Sequence, residues 1–351
     1  KAISLLGVLH SMAGRRDEAE AVLEQARVLA RELGDDAAFA GASSNLGLSF
    51  MVHGDLGRAE QIFREAIEVA RRAGVRRFEC IATGNLGGAL MDMGRTGDAE
   101  EVIQRHLEIS REIGYRRGEM IALANLASLC TNVGRTREAR DYEECQLPIC
   151  RELGDSVSEV ESLGRLAQLS LDEGDLGGAL RTSEEQMRRA RQTESAELLP
   201  RAWNVRGDIL CWLGALDVAE AAYRESLALL AADGYGQIRL SALAGLATIS
   251  GARADTQDAR RRTEEALALA VECQAAATEI RLRLDLASWD LDDPEIDADT
   301  EAIRGLLQRA RDAGGDALIV AASLLLACAT GTQQDAEAAA TLVAESRPVS
   351  Y

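Results

Sequence analysis

Apolar residues return along this chain at helical spacing. Over residues 37–53, Ala42, Leu46 and Phe50 fall at i, i+4 and i+8 on one face, and over 56–72 the inward set is Ala59, Phe63, Ala66, Ile67 and Ala70. A repeat of this kind near 3.6 residues predicts two amphipathic helices. Gly54 stands between them, where a left-handed residue satisfies the last carbonyls of a helix. Asp55 follows as a side-chain cap for the next helix, and Thr96 and Thr136, one position further on in their own segments, are expected to do the same. Arg71 places a cation at a helix C-terminus, where the dipole favours it, and Gly74 closes the unit.

The pattern is periodic at a larger scale. Glycine occurs at 14, 54, 94, 134, 174 and 214, always 40 residues apart, and alanine five residues later from Ala19 through Ala59, Ala99, Ala139, Ala179 and Ala219 to Ala259. A second glycine series runs Gly34, Gly74, Gly114, Gly154, then Gly234 and Gly314; an arginine series runs Arg31 to Arg191, and a leucine series runs from Leu6 through Leu46, Leu86, Leu126 and Leu166 to Leu326. Shared periodicity of this kind marks tandem structural repeats. The expected fold is all-α: about nine helix–turn–helix repeats of 40 residues, each able to bury its apolar face only against its neighbours.

The repeats are regular over 1–194 and divergent over 195–351, which are read as one continuing array. Gln192–Glu194 replaces the Leu-Gly closure, Arg206 takes a leucine position, and Ala254, Pro294 and Gln334 stand at hinge positions. Asp290–Asp299 reads as an elongated acidic turn, the last repeat, ending at Arg347-Pro348, as a cap, and Pro148 as a kink within its helix. The chain opens at Lys1 inside an apolar helical pattern, which suggests a piece of a longer protein.

Composition narrows the function. Aromatic residues make up 3%, and the formal net charge is −19. Such an acidic surface disfavours direct contact with nucleic acid and anionic membranes. No apolar run of 18 residues is present to span a bilayer. The seven cysteines are scattered without a CxxC pair, and the three histidines, His10, His53 and His106, form no zinc motif. Most of the cysteines therefore read as core residues in a reducing, cytoplasmic setting, with no metal and no cofactor. The glycines are spaced by 40 rather than clustered as a phosphate loop, and no nucleophile elbow occurs, so no catalytic residue is assigned and the chain is read as a non-enzyme.

The motifs NLG at 45–47, NLG at 85–87, NLA at 125–127 and RLA at 165–167, each followed by the hinge glycine and then alanine, resemble tetratricopeptide repeats of the 40-residue class found in spindle-orientation scaffolds and bacterial multidomain regulators. The family's first-helix tryptophan is matched once, by Trp203. The resemblance implies a right-handed α-solenoid whose first helices line a concave groove, with positions 41, 44, 45, 48, 52 and their equivalents facing it. It also implies peptide contact at Asn45, Asn85 and Asn125, whose stacked amides can pair with an extended backbone. Arg165 departs from that series; with Arg201, Asn204 and Asp208 it forms a more charged stretch suited to an acidic segment or a C-terminal carboxylate, or else a set of local pairs. Arg77 and Arg117, beside Arg76 and Arg116, form a possible basic rim.

These features point to a protein- or peptide-binding module that forms the interaction or sensing part of a larger bacterial signalling or regulatory protein. The alternatives are a structural connector or self-association scaffold and, ranked below it, a regulator of a DNA-binding or nucleotide-dependent effector domain on the same chain.

Overall fold

The computed structural model describes residues 2–230, 234–292, 299–313 and 316–345. Among them are eighteen α-helices and no strand, an all-α repeat solenoid. The chain forms two compact units, Lys1–Asp155 and Ser156–Tyr351. The change in glycine pattern near residue 194 thus falls inside the second unit.

In the first unit, α1 (Ala2–Met12), α3 (Asp36–Val52), α5 (Arg76–Asp92) and α7 (Arg116–Asn132) are the first helices of their repeats, and α2 (Arg16–Glu32), α4 (Leu56–Arg72), α6 (Thr96–Glu112) and α8 (Thr136–Leu153) are the second helices. The links place glycine in the left-handed region, Gly54 at φ +77° and Gly74 at φ +71° for example. At Gly54 the hydrogen bonds are those of a Schellman motif: Gly54 N–H donates to Met51 O and Asp55 N–H to Phe50 O, both at 2.9 Å. The capping carboxylates expected of aspartate are present, since Asp55 accepts from Arg58 N–H at 3.3 Å and Asp35 from Ala38 N–H at 2.9 Å.

Thr96 and Thr136 do not cap. They are the first helical residues of α6 and α8, and Arg95 and Arg135 hold the cap positions without a side-chain cap bond. Both arginines reach back to the preceding repeat, Arg95 to Glu60 and Arg135 to Glu100 at 2.8 Å each. An inter-repeat ion pair replaces the local cap. Helix α8 runs on through Pro148, which faces solvent, so the Glu144 carbonyl left without its helical donor sits on an exposed stretch where water can serve it.

The alanine series marks the closest helix crossings, and every member from Ala19 to Ala259 is fully buried. A second small-residue device lies one helix face away. A Cβ at Gly47 would stand 2.4 Å from Phe63 Cε1, and one at Gly87 2.5 Å from Ile103 Cγ1. Phe63 of α4 and Ile103 of α6 therefore each seat in a notch that only glycine leaves in the first helix. In the first unit one contiguous cluster of buried residues runs from Leu23 to Cys150.

The second unit comprises α9 (Ser156–Asp172), α10 (Leu176–Ala190), α11 (Leu198–Trp212), α12 (Leu216–Leu229), α13 (Gly236–Ala252), α14 (Thr256–Glu272), α15 (Ala276–Asp292), α16 (Thr300–Ala313), α17 (Asp316–Thr330) and α18 (Gln333–Glu345). Its core is divided into several smaller clusters. Hinge geometry survives the loss of glycine: Ala254 at φ +58° and Gln274 at φ +54° occupy the left-handed region. Both retain the helix-closing bonds, Asp255 N–H to Ser250 O and Ala275 N–H to Ala270 O. A Cβ makes that conformation costly. Ala254→Gly and Gln274→Gly are each expected to raise stability by about 0.5–1 kcal/mol, net of the added freedom of the unfolded chain. Urea unfolding midpoints will check this, and an unchanged or lower midpoint would contradict it.

The last hinge differs from expectation. Gly331, at φ +62°, makes the turn before α18, and Gln334 is helical. Asp290 lies within α15, so the acidic stretch is not a turn at its start. Asp299 caps α16, accepting from Ala302 N–H at 2.9 Å. Pro294, Gly314, Arg347 and Pro348 lie outside the described residues. Cys80, Cys130 and Cys150 are buried, whereas Cys145 and Cys328 are exposed. No helix among the described residues is long and apolar enough to cross a membrane.

Candidate ligand-binding faces

In the first unit, Asn45, Asn85 and Asn125 sit half-buried at equivalent positions of α3, α5 and α7. Among the described residues no side-chain hydrogen bond ties them to a neighbouring helix, and Asn85 Nδ2 is buried without a partner. A capping or bridging role would show such bonds. A buried amide N–H without an acceptor is costly, so this row is built with hydrogen-bonding capacity in reserve.

The rim arginines are mostly engaged. Arg76 pairs with Glu79 at 2.7 Å and with Glu112, and Arg116 pairs with Glu119 at 2.6 Å and with Glu152. Arg77 lies over the Tyr115 ring with its guanidinium carbon 4.5 Å from the centroid, a cation–π contact. Arg117 is exposed. Arg76 and Arg116 thus fasten successive repeats.

In the second unit the sequence-derived residues separate. Arg165 is half-buried on α9. Arg201 is exposed and pairs with Glu197 at 3.4 Å, one turn earlier on its own helix, rather than with Asp208. Asn204 is 4% exposed, and its Nδ2 donates to Ile238 O at 2.9 Å, which makes it a strut between α11 and α13 instead of an open groove contact.

Asp208 lies in a cavity of about 430 Å³ formed by α9, α11, α13 and α15 with Tyr223 of α12 behind it. Such a volume suits a small ligand or a few residues of a peptide. Polar groups from all four first helices line it, Gln168, Asp208, Ser241 and Thr278 among them, and Trp212 stands at its edge, 57% exposed. Tyr223 is 1% exposed, and its hydroxyl donates to Asp208 Oδ1 at 2.6 Å. Two glycines make room for its ring. A Cβ at Gly207 would lie 2.6 Å from Tyr223 Cε1, and one at Gly245 2.2 Å from Cζ.

Gly245 occupies the position held by Asn45, Asn85 and Asn125 in the first unit. There the open space lets a second-helix residue reach through to the first-helix face, which the asparagines would otherwise cover. Burial raises the Asp208 carboxyl from 3.8 to about 6, partly offset by the Tyr223 hydrogen bond and by the Arg281 charge. Arg281 on α15 also lines the cavity and forms no ion pair within 4.0 Å among the described residues.

Sequence reasoning named Asp208 and covered the positions of Trp212 and Arg281, equivalents of 52 and 41, without singling them out; it missed Tyr223. The available signal was a tyrosine in the 23, 63, 103 series, 16 residues after Gly207, together with glycine in the asparagine series.

Helical hairpins closed by left-handed residues and repeating at 40 define an all-α repeat solenoid. The chain belongs to the family of MalT-like TPR regions, whose family model matches residues 11–214. No curated protein matches it in sequence. Among solved structures it is similar to the apo form of the quorum sensor NprR from B. thuringiensis, at 13% identity over 98% of both chains with a TM-score of 0.64. NprR in complex with its cognate peptide NprX is also similar, at 15% identity over 99% of this chain and 89% of that one, TM-score 0.59. A third is a Rap protein complexed with competence and sporulation factor, at 14% identity over 97% of this chain and 98% of that one, TM-score 0.58. At these identities the likeness is one of fold.

Proposed function

We propose that this chain is a peptide-binding module, the sensing or interaction part of a larger bacterial signalling protein, and that it holds an extended peptide on its first-helix faces. The observation that carries the reading is the row of Asn45, Asn85 and Asn125, whose amides are not consumed by the fold and which include a buried, unpartnered Asn85 Nδ2. Amide ladders of this kind suit peptide backbone, because each offers a donor and an acceptor irrespective of the peptide's side chains. Two of the similar solved structures are complexes, NprR with its cognate peptide NprX and Rap with competence and sporulation factor, which supports a ligand of this class here.

A random peptide library displayed on phage, selected against the immobilised chain, tests the reading. Selected peptides are expected to lose about tenfold or more in affinity when Asn85 and Asn125 are both replaced by alanine, the loss of one or two desolvated hydrogen bonds. Affinity unchanged by that replacement would remove the asparagine row from the site.

A further inference from the structure

The cavity around Asp208 holds two opposite charges that do not neutralise each other by contact. Asp208 accepts one hydrogen bond, from Tyr223, and Arg281 lies in the same cavity, close enough to act on the carboxylate through space but without an ion pair within 4.0 Å among the described residues. Among the described residues no other charged side chain lines the cavity, and Asp285, one turn along α15, acts on Arg281 through space from outside it. The lining is therefore neutral in sum and strongly dipolar. A purely cationic ligand would leave the guanidinium unpaired, and a purely anionic one would leave the carboxylate so; each is costly away from water. A ligand carrying both signs satisfies both.

The packing around the cavity holds this arrangement in place. Glycine at 207 and 245 admits the Tyr223 ring, and the ring holds Asp208 facing the cavity. Gln168, Thr248 and Ser241 supply neutral donors and acceptors around the charges, and the exposed Trp212 ring offers an apolar wall at the edge.

We infer that this cavity is a subsite for short peptides with free termini, in which the N-terminal ammonium pairs with Asp208 and the C-terminal carboxylate with Arg281. The inference rests on the peptide-binding reading above and adds to it the ligand's length and the state of its ends. The depressed acidity of Asp208 agrees with it, since a bound ammonium would restore the charge that burial disfavours.

The test uses the full chain and three pools of randomised tripeptides: free at both ends, N-acetylated, and C-amidated. Binding is read by calorimetric titration. The free pool is expected to bind about tenfold or more tightly than either capped pool, as each lost charge-assisted hydrogen bond is worth at least that factor. In Asp208→Asn the penalty for acetylation should vanish while the penalty for amidation persists, and Arg281→Gln should show the reverse. Because ligand capping is read on the unaltered chain, the result does not depend on how well a variant folds. Equal binding of free and capped pools, or no binding of any, overturns the subsite. If library-selected longer peptides still lose affinity in the asparagine double variant, the peptide-binding reading stands without it.

Discussion

At pH 7 the Asp208→Asn variant is expected to be more stable than the parent chain by up to about 3 kcal/mol, since each tenfold change in acidity is worth about 1.4 kcal/mol. The folded protein holds this carboxyl at about 6, raised from 3.8 by burial. As pH rises through 3.8 the unfolded chain releases its proton first, while the folded chain keeps it until about 6. The contribution is therefore fully present below 3.8, is lost across the window from 3.8 to 6, and stays lost above it. Asparagine cannot ionise and still presents an oxygen to the Tyr223 hydroxyl, so it escapes the loss. Hydrogen exchange of α11 and α12 amides, or urea midpoints at acid and neutral pH, will check it. The variant should match the parent near pH 3.5 and exceed it near pH 7. A variant less stable than the parent at neutral pH would contradict the account. A group that weakens the fold at working pH is characteristic of a binding site rather than a core.

The second large effect runs the other way in pH. His106 on α6 is 3% exposed and its Nδ1 is buried without a partner. Its ring packs where a Cβ at Gly84 would come within 2.7 Å. Burial lowers its pKa from 6.5 to about 4. Above 6.5 both folded and unfolded chains hold it neutral and nothing is lost. As pH falls from 6.5 to 4 the unfolded chain takes up a proton that the folded chain refuses, and stability drops by up to about 3 kcal/mol. His106→Leu should flatten that part of the stability profile of the first unit. Glu and Asp protonation elsewhere sets a common background in both proteins, so the difference between their profiles is the quantity to read. A parent and variant with parallel profiles between pH 6.5 and 4 would refute it.

Much of the fold was legible because its constraints act on single residues at fixed positions. A left-handed link favours a residue without a Cβ, and a close crossing needs a small one, so Gly54 and Ala59 announce themselves throughout the regular repeats. The same logic located Gly331 only in the structure, because it lies off the register set by Gly14 to Gly214. Ala254 and Gln274 show the converse: stacking on both sides over-determines the hinge and holds a disfavoured conformation.

The candidate site was less legible because it depends on pairs distant in sequence. Asn204 and Arg201 look like groove residues by position, yet one is drawn inward to the Ile238 carbonyl and the other is claimed by Glu197. Arg95 and Arg135 look like failed helix caps and are ties to the previous repeat. Tyr223 reaches the cavity only because residues 16 before and 22 after it are glycine. No local pattern announces such a triple.

The ties between repeats in the first unit have a consequence for how such a chain can change over generations. Arg95–Glu60 and Arg135–Glu100 both span 35 residues, and Arg76–Glu112 and Arg116–Glu152 both span 36. Because each tie recurs at the same offset, unequal crossing-over that removes or duplicates one whole 40-residue segment leaves each of these arginines opposite a glutamate. Copy number in this half is thus free to drift in whole hairpins. The unit around Asp208 has no such freedom, since its tyrosine and its two glycines belong to adjacent repeats that must be inherited together.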